Sequence, residues 1–148
     1  MTKEKEEHKS RKEPLARKET TALLPESAEN VMGALNIEPR EYQTRLIEKS
    51  LAMYRGTFRN SSGQTCSPAK SVMIESPTGS GKTVMGLSIA SCLQREFGVS
   101  VGWVAMRRNL LSQADQELRD GKFPLDMQLI SMFDRNPPNV DLLVIDEC

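Results

Sequence analysis

The sequence predicts an α/β fold, a parallel sheet flanked by helices. Three observations predict it. Short apolar runs at 71–75, 99–105, 127–132 and 140–145 alternate with longer segments whose apolar residues recur at helical spacing. A glycine- and serine-rich turn, Ser76-Pro77-Thr78-Gly79-Ser80-Gly81-Lys82-Thr83, joins the first run to one of those segments. An acidic pair, Asp146-Glu147, ends the last run. Strands alternating with helices call for crossover connections, hence a parallel sheet covered on both faces. Ligands of such sheets bind at the C-terminal tips of the strands, where both the turn and the acidic pair fall.

Taken in order, residues 1–28 are rich in Lys, Glu, Ser and Thr with scattered aliphatics, and they predict a disordered charged tail. Residues 1–19 hold seven Lys/Arg against five Glu, a mixture that favours a solvated segment over a nucleic-acid arm. Ser27 is a candidate N-cap for a short helix reaching Leu35. From Pro39 to Tyr54, Tyr42, Leu46, Ser50 and Met53 share a face with Ile47 and Leu51 beside them, which predicts a helix with Tyr42 in the core. Residues 56–71 read as a surface loop. The run 71–75 predicts the first strand. A helix follows from Lys82 to about Phe97, packed through Val84, Leu87, Ala90 and Leu93 and closed by Gly98. Residues 99–105 are the second strand, residues 109–119 a helix ended by Asp120-Gly121, and 127–132 the third strand. After the turn Asn136-Pro137-Pro138-Asn139, residues 140–145 are the fourth.

The turn at 76–83 has the residues a triphosphate needs. Gly79 and Gly81 allow a tight path that aims successive N–H groups at phosphate oxygens. Lys82 can reach the β and γ oxygens, and the Thr83 hydroxyl can hold Mg²⁺ at the helix N-terminus. The last strand delivers Asp146 to the same metal, with Glu147 beside it to orient and deprotonate an attacking water. Together these features define a P-loop NTPase with ATP and Mg²⁺ as cofactors. The pattern departs from the strict motif at its first position, where Ser76 stands in place of glycine.

Four blocks in order resemble the first, RecA-like motor domain of superfamily 2 helicases and translocases, in the DEAD/DEAH-like branch that includes type III restriction subunits. They cover roughly residues 37–148. Glu38-Pro39-Arg40-Glu41-Tyr42-Gln43 is similar to the adenine-reading segment, with Gln43 at the glutamine position and Arg40 beside it. The amide of Gln43 both donates and accepts, which suits the N6 and N7 edge of adenine. Ser76 to Thr83 is similar to motif I. Ala105-Met106-Arg107-Arg108-Asn109-Leu110-Leu111-Ser112-Gln113 resembles motif Ia, which implies nucleic-acid backbone contacts through Arg107, Arg108 and Gln113. Val144-Ile145-Asp146-Glu147-Cys148 resembles the start of motif II. The resemblance implies ATP hydrolysis coupled to movement on DNA or RNA, DNA being slightly favoured.

The sequence ends inside motif II, so the resemblance further implies a domain incomplete at its C-terminus, comprising residues 29–148. Motif III and a second motor domain with its arginine fingers would lie beyond it. A fragment of that kind is expected to expose a sheet edge, to be marginally stable, and to bind ATP weakly with negligible hydrolysis and no unwinding. Two other readings stay open on the residues: a different P-loop NTPase, or a nucleotide- or partner-binding module without turnover.

Composition excludes several classes. Twenty Lys/Arg balance twenty Asp/Glu, so any polyanion-binding surface must be local. Cys66, Cys92 and Cys148 lack metal-ligand spacing and disulfide density, which fits a reducing, intracellular setting. No run approaches the length of a membrane span, and the charged N-terminus lacks a signal-peptide core, so a soluble protein is expected.

Overall fold

The computed structural model describes residues 40–146. The charged tail, the helix expected from Ser27, Pro39, and the terminal Glu147 and Cys148 lie outside the described residues. Six elements follow in order: α1 (Glu41–Arg55), α2 (Lys82–Phe97), β1 (Val101–Ala105), α3 (Arg108–Asp120), β2 (Met127–Ser131) and β3 (Leu142–Asp146). The strands form one parallel sheet in the order β2-β1-β3, flanked by helices, as the alternation predicts.

β1 is the central strand. Its Val101, Trp103 and Ala105 are buried on one face, and Trp103 sits in register with Leu129 of β2 and Val144 of β3. Above that face lies α2. A Cβ at Gly86 would stand 2.9 Å from Trp103 Cη2 and 3.7 Å from Val144 Cγ1, so glycine lets the helix ride directly on the indole. The Trp103 indole N–H is buried without a partner.

Sequence periodicity assigns α2 a single packed face, yet the structure buries eight of its residues around most of the circumference, from Met85 to Leu93. The reason is its central position, packed against α1, α3 and the sheet. Ser88 and Ser91 tolerate this burial because their hydroxyls donate to the carbonyls of Val84 (2.8 Å) and Leu87 (2.7 Å). α1 turns toward it the face built on Gln43, Ile47, Ser50 and Leu51. That face is rotated by about one residue from the expected stripe, leaving Tyr42 half-buried. An ion pair between Arg55 Nη2 and Glu96 Oε2, at 2.7 Å, ties the C-terminal ends of α1 and α2 together.

The starts of the strands are pinned by side chains. The Asp141 carboxylate accepts from Ser100 N–H (3.0 Å) and Ser100 Oγ (2.8 Å), which sets β3 against β1. Gln94 donates to the carbonyls of Val99 and Asp126 and accepts from Asp126 N–H, which sets β2. Residues 56–71 form the expected surface loop, closed by a single antiparallel bridge between Arg59 and Thr65. No helix among the described residues is long and apolar enough to cross a membrane.

Two expectations are corrected. Residues 71–75 have the alternation of a strand, with Val72 and Ile74 turned inward and Met73 94% exposed, but they join no ladder among the described residues. Both edges of β1 are taken by β2 and β3, and the segment pairs with neither outer edge of the sheet. Coverage of the sheet is also unequal. Leu143 and Ile145 point away from the Trp103 face and are 48% and 55% exposed.

Candidate functional site

The phosphate-loop segment leaves the extended stretch at Ser76 and enters α2 at Lys82. Its path depends on two left-handed residues, Gly79 (φ 78°) and Gly81 (φ 82°), on either side of the buried Ser80. Donation from Ser80 N–H to Pro77 O at 3.2 Å closes the turn, and a 2.7 Å hydrogen bond between the Ser76 and Ser80 hydroxyls braces it from within. Serine at position 76 therefore has a structural use that glycine could not supply. Thr78 is exposed.

Gly81 is the N-cap of α2, Lys82 and Thr83 are its first residues, and its first turn carries no acidic side chain. The unpaired N–H groups and positive end of the helix dipole thus meet the loop without a competing carboxylate on the helix itself. Lys82 is exposed at this mouth.

Across from it, the tip of β3 brings Asp146 to the same place. Thr83 Oγ1 donates to Asp146 Oδ2 at 3.3 Å, joining residues 63 apart in the chain. A hydroxyl and a carboxylate oxygen are hard donors of the kind Mg²⁺ takes. Mg–O bonds of about 2.1 Å at right angles set neighbouring ligands roughly 3 Å apart. The pair therefore fits two adjacent positions of an octahedral ion. Among the described residues no group of three or more His, Cys, Asp or Glu could hold a metal by itself. Such a sparse protein shell suits an ion that shares its coordination with substrate phosphates and water.

The N-terminal end of α1 contacts the loop from behind. Gln43 Oε1 accepts from Arg40 N–H at 3.1 Å, and Gln43 Nε2 donates to the Ser80 carbonyl at 2.9 Å. The candidate adenine reader is thus 6% exposed with both ends of its amide engaged by the protein. Tyr42 OH donates to the same carbonyl at 2.5 Å, and Arg40 Nη1 donates to the Tyr42 oxygen at 3.4 Å. A Cβ on Gly81 would collide with Gln43 Nε2, so glycine is required there by contact as well as by conformation.

Arg107 and Arg108 follow the tip of β1, with Arg107 as N-cap of α3 and Arg108 its first residue; both are exposed. Ala105, two residues earlier, is in register with Asp146, so the arginines stand on the sheet edge that carries the acidic residue. Gln113 is exposed further along α3 and hydrogen-bonds Glu117. Glu147 lies outside the described residues.

Sequence reasoning missed two features. One is the Tyr42 hydroxyl, which helical periodicity assigns to core packing. The other is Glu117, a half-buried carboxyl whose pKa is raised above its ordinary 4.5 by burial and by the nearby Asp146 charge, with the Gln113 hydrogen bond opposing. Because the folded pKa exceeds the unfolded one, the folded state holds the proton more tightly. Stability is therefore lost as pH rises from about the unfolded value through the raised one. Glu117→Gln is expected to raise the melting temperature at about pH 7, the gain shrinking as pH falls toward 4.5, which thermal melts across that range would check.

A parallel sheet, a left-handed glycine loop opening a helix, and a threonine–aspartate pair beside it define a P-loop domain of the α/β class. The family model of the type III restriction enzyme, res subunit, matches residues 36–123, more than half of the chain. The chain belongs to this family and is a helicase-like, ATP-binding P-loop domain. No curated protein and no solved structure matches it.

Proposed function

We propose that the chain is the ATP–Mg²⁺-binding half of a superfamily 2, DEAD/DEAH-like helicase or translocase that couples ATP hydrolysis to movement on nucleic acid, DNA being favoured. The observation that carries this reading is the Thr83–Asp146 contact at the mouth of the phosphate loop. Loop N–H groups and Lys82 hold the phosphates, while Thr83 and Asp146 hold the cation. Mg²⁺, when bound, would neutralise charge on the β and γ oxygens. Glu147, next to Asp146, orients and deprotonates the attacking water. Thr78, Gly79, Ser80 and Gly81 shape the cradle; Arg40 lies on the side of the base, and Gln43 would read adenine only by exchanging its hydrogen bonds to Arg40 N–H and the Ser80 carbonyl for the base edge. Arg107, Arg108 and Gln113 take the nucleic-acid backbone at the same sheet edge. A second motor domain would supply the remaining charges and the cleft that opens and closes.

The nucleic-acid half of this reading is tested by fluorescence anisotropy with a labelled single-stranded oligodeoxythymidylate. The Arg107→Ala/Arg108→Ala double variant is expected to bind about 10- to 100-fold more weakly. Its log-affinity against log-salt slope should be shallower by roughly 1.4, the value for two lost single-strand phosphate contacts. Equal affinity and equal slope for wild type and variant would remove the arginines from that role.

A further inference from the structure

We propose that Tyr42 is a positioning residue of the phosphate loop, whose hydroxyl locks the Ser80–Gly81 peptide plane so that the Gly81 N–H faces the bound phosphates. The inference rests on the nucleotide-binding reading above and adds to it a group that never touches the nucleotide. The Ser80 carbonyl and the Gly81 N–H belong to one planar trans peptide, so they point in opposite directions. Two donors from neighbouring residues of α1, Tyr42 OH at 2.5 Å and Gln43 Nε2 at 2.9 Å, converge on that carbonyl from behind the loop. Fixing the oxygen toward α1 fixes the N–H toward the opposite side.

The lock is needed because of the glycine. Gly81 sits at φ 82°, and a glycine on one side of the Ser80–Gly81 plane lets that plane reorient at less steric cost than a residue with a side chain would. The Gly81 N–H donates to no acceptor among the described residues, so nothing on its own side holds it. Arg40 Nη1 donates to the Tyr42 oxygen at 3.4 Å, which polarises the phenol and strengthens it as a donor. An anion site gains from donors that are oriented before the anion arrives.

This role separates cleanly from adenine reading, because a peptide lock acts on phosphate whatever base is attached. The experiment measures binding of Mg-ATP, Mg-GTP and Mg-tripolyphosphate to the full 148-residue chain and to its Tyr42→Phe variant. The expected result is a loss of about three- to tenfold, the same factor for ligands with and without a base, the size of one hydrogen bond. Unchanged tripolyphosphate affinity in a folded variant overturns the proposal, and so does a loss confined to ATP. A merely structural staple would lower the melting temperature without a base-independent loss of affinity.

Should Tyr42→Phe not fold, the wild-type chain still decides. The Gly81 amide proton is expected to shift downfield in NMR spectra when tripolyphosphate is added, and an unmoved resonance refutes the lock. Equal tripolyphosphate binding by the wild type and by Lys82→Ala removes the nucleotide reading itself. Lys82-dependent binding that ignores Tyr42→Phe removes only the present inference.

Discussion

Lys82→Ala is expected to weaken Mg-ATP binding by roughly 30- to 1000-fold, or about 2–4 kcal/mol, in equilibrium titrations with a fluorescent ATP analogue. The ammonium is exposed at the first residue of α2, beside the N-terminal N–H groups and across from Asp146. A triphosphate brought there would meet Lys82 as its one side-chain cation on the loop, and truncation leaves phosphate charge unpaired beside the Asp146 carboxylate. Because the side chain is exposed, stability should change by no more than about 0.5 kcal/mol, so a folded variant with lost affinity isolates the site. Undiminished affinity would mean the loop is not where phosphate binds.

The second large effect concerns the scaffold. Trp103→Ala is expected to cost about 3–5 kcal/mol, a large part of the 5–15 kcal/mol typical of a whole domain. Trp103 is 1% exposed and fills the space between β1 and α2 under Gly86. Urea unfolding followed by far-UV circular dichroism should show the midpoint falling by more than about 1 M. Trp103→Phe should cost distinctly less. It keeps an aromatic ring in place and deletes the indole N–H, which is buried without a partner and carries its own desolvation penalty. Equal losses for the two variants would show that ring packing against α2 is not what holds the sheet and helix together.

The two effects show how unevenly the molecule could be read from its residues. The phosphate loop was legible because glycine, lysine and threonine are placed there by local needs: left-handed φ at Gly79 and Gly81, and a helix start at Lys82. α2 and β1 were legible for the same reason, since hydrophobic spacing reports local conformation. Membership in a sheet was not. Residues 71–75 alternate like a strand yet pair with none of the described strands, because alternation reports the local pattern of one segment and pairing depends on where a second strand lies. The unequal cover of the two sheet faces escaped for a related reason: it depends on which face each connection crosses.

Within the site the division is similar. Sequence by itself determined the chemistry available, an anion-binding turn and acidic strand tip, because these use short contiguous patterns. Strand order also anticipates Arg107 and Arg108 on the edge that carries Asp146, and Thr83 and Asp146 on one metal; only the tertiary structure set the 3.3 Å between Thr83 and Asp146 and buried the Gln43 amide against Ser80. It also turned Tyr42 from an expected core residue into a donor to the loop, and placed Glu117 where the Asp146 charge is felt. Those facts belong to pairs of groups that are distant in the chain. The distances between them are set by how α1, α2 and the sheet pack, which no local spacing encodes.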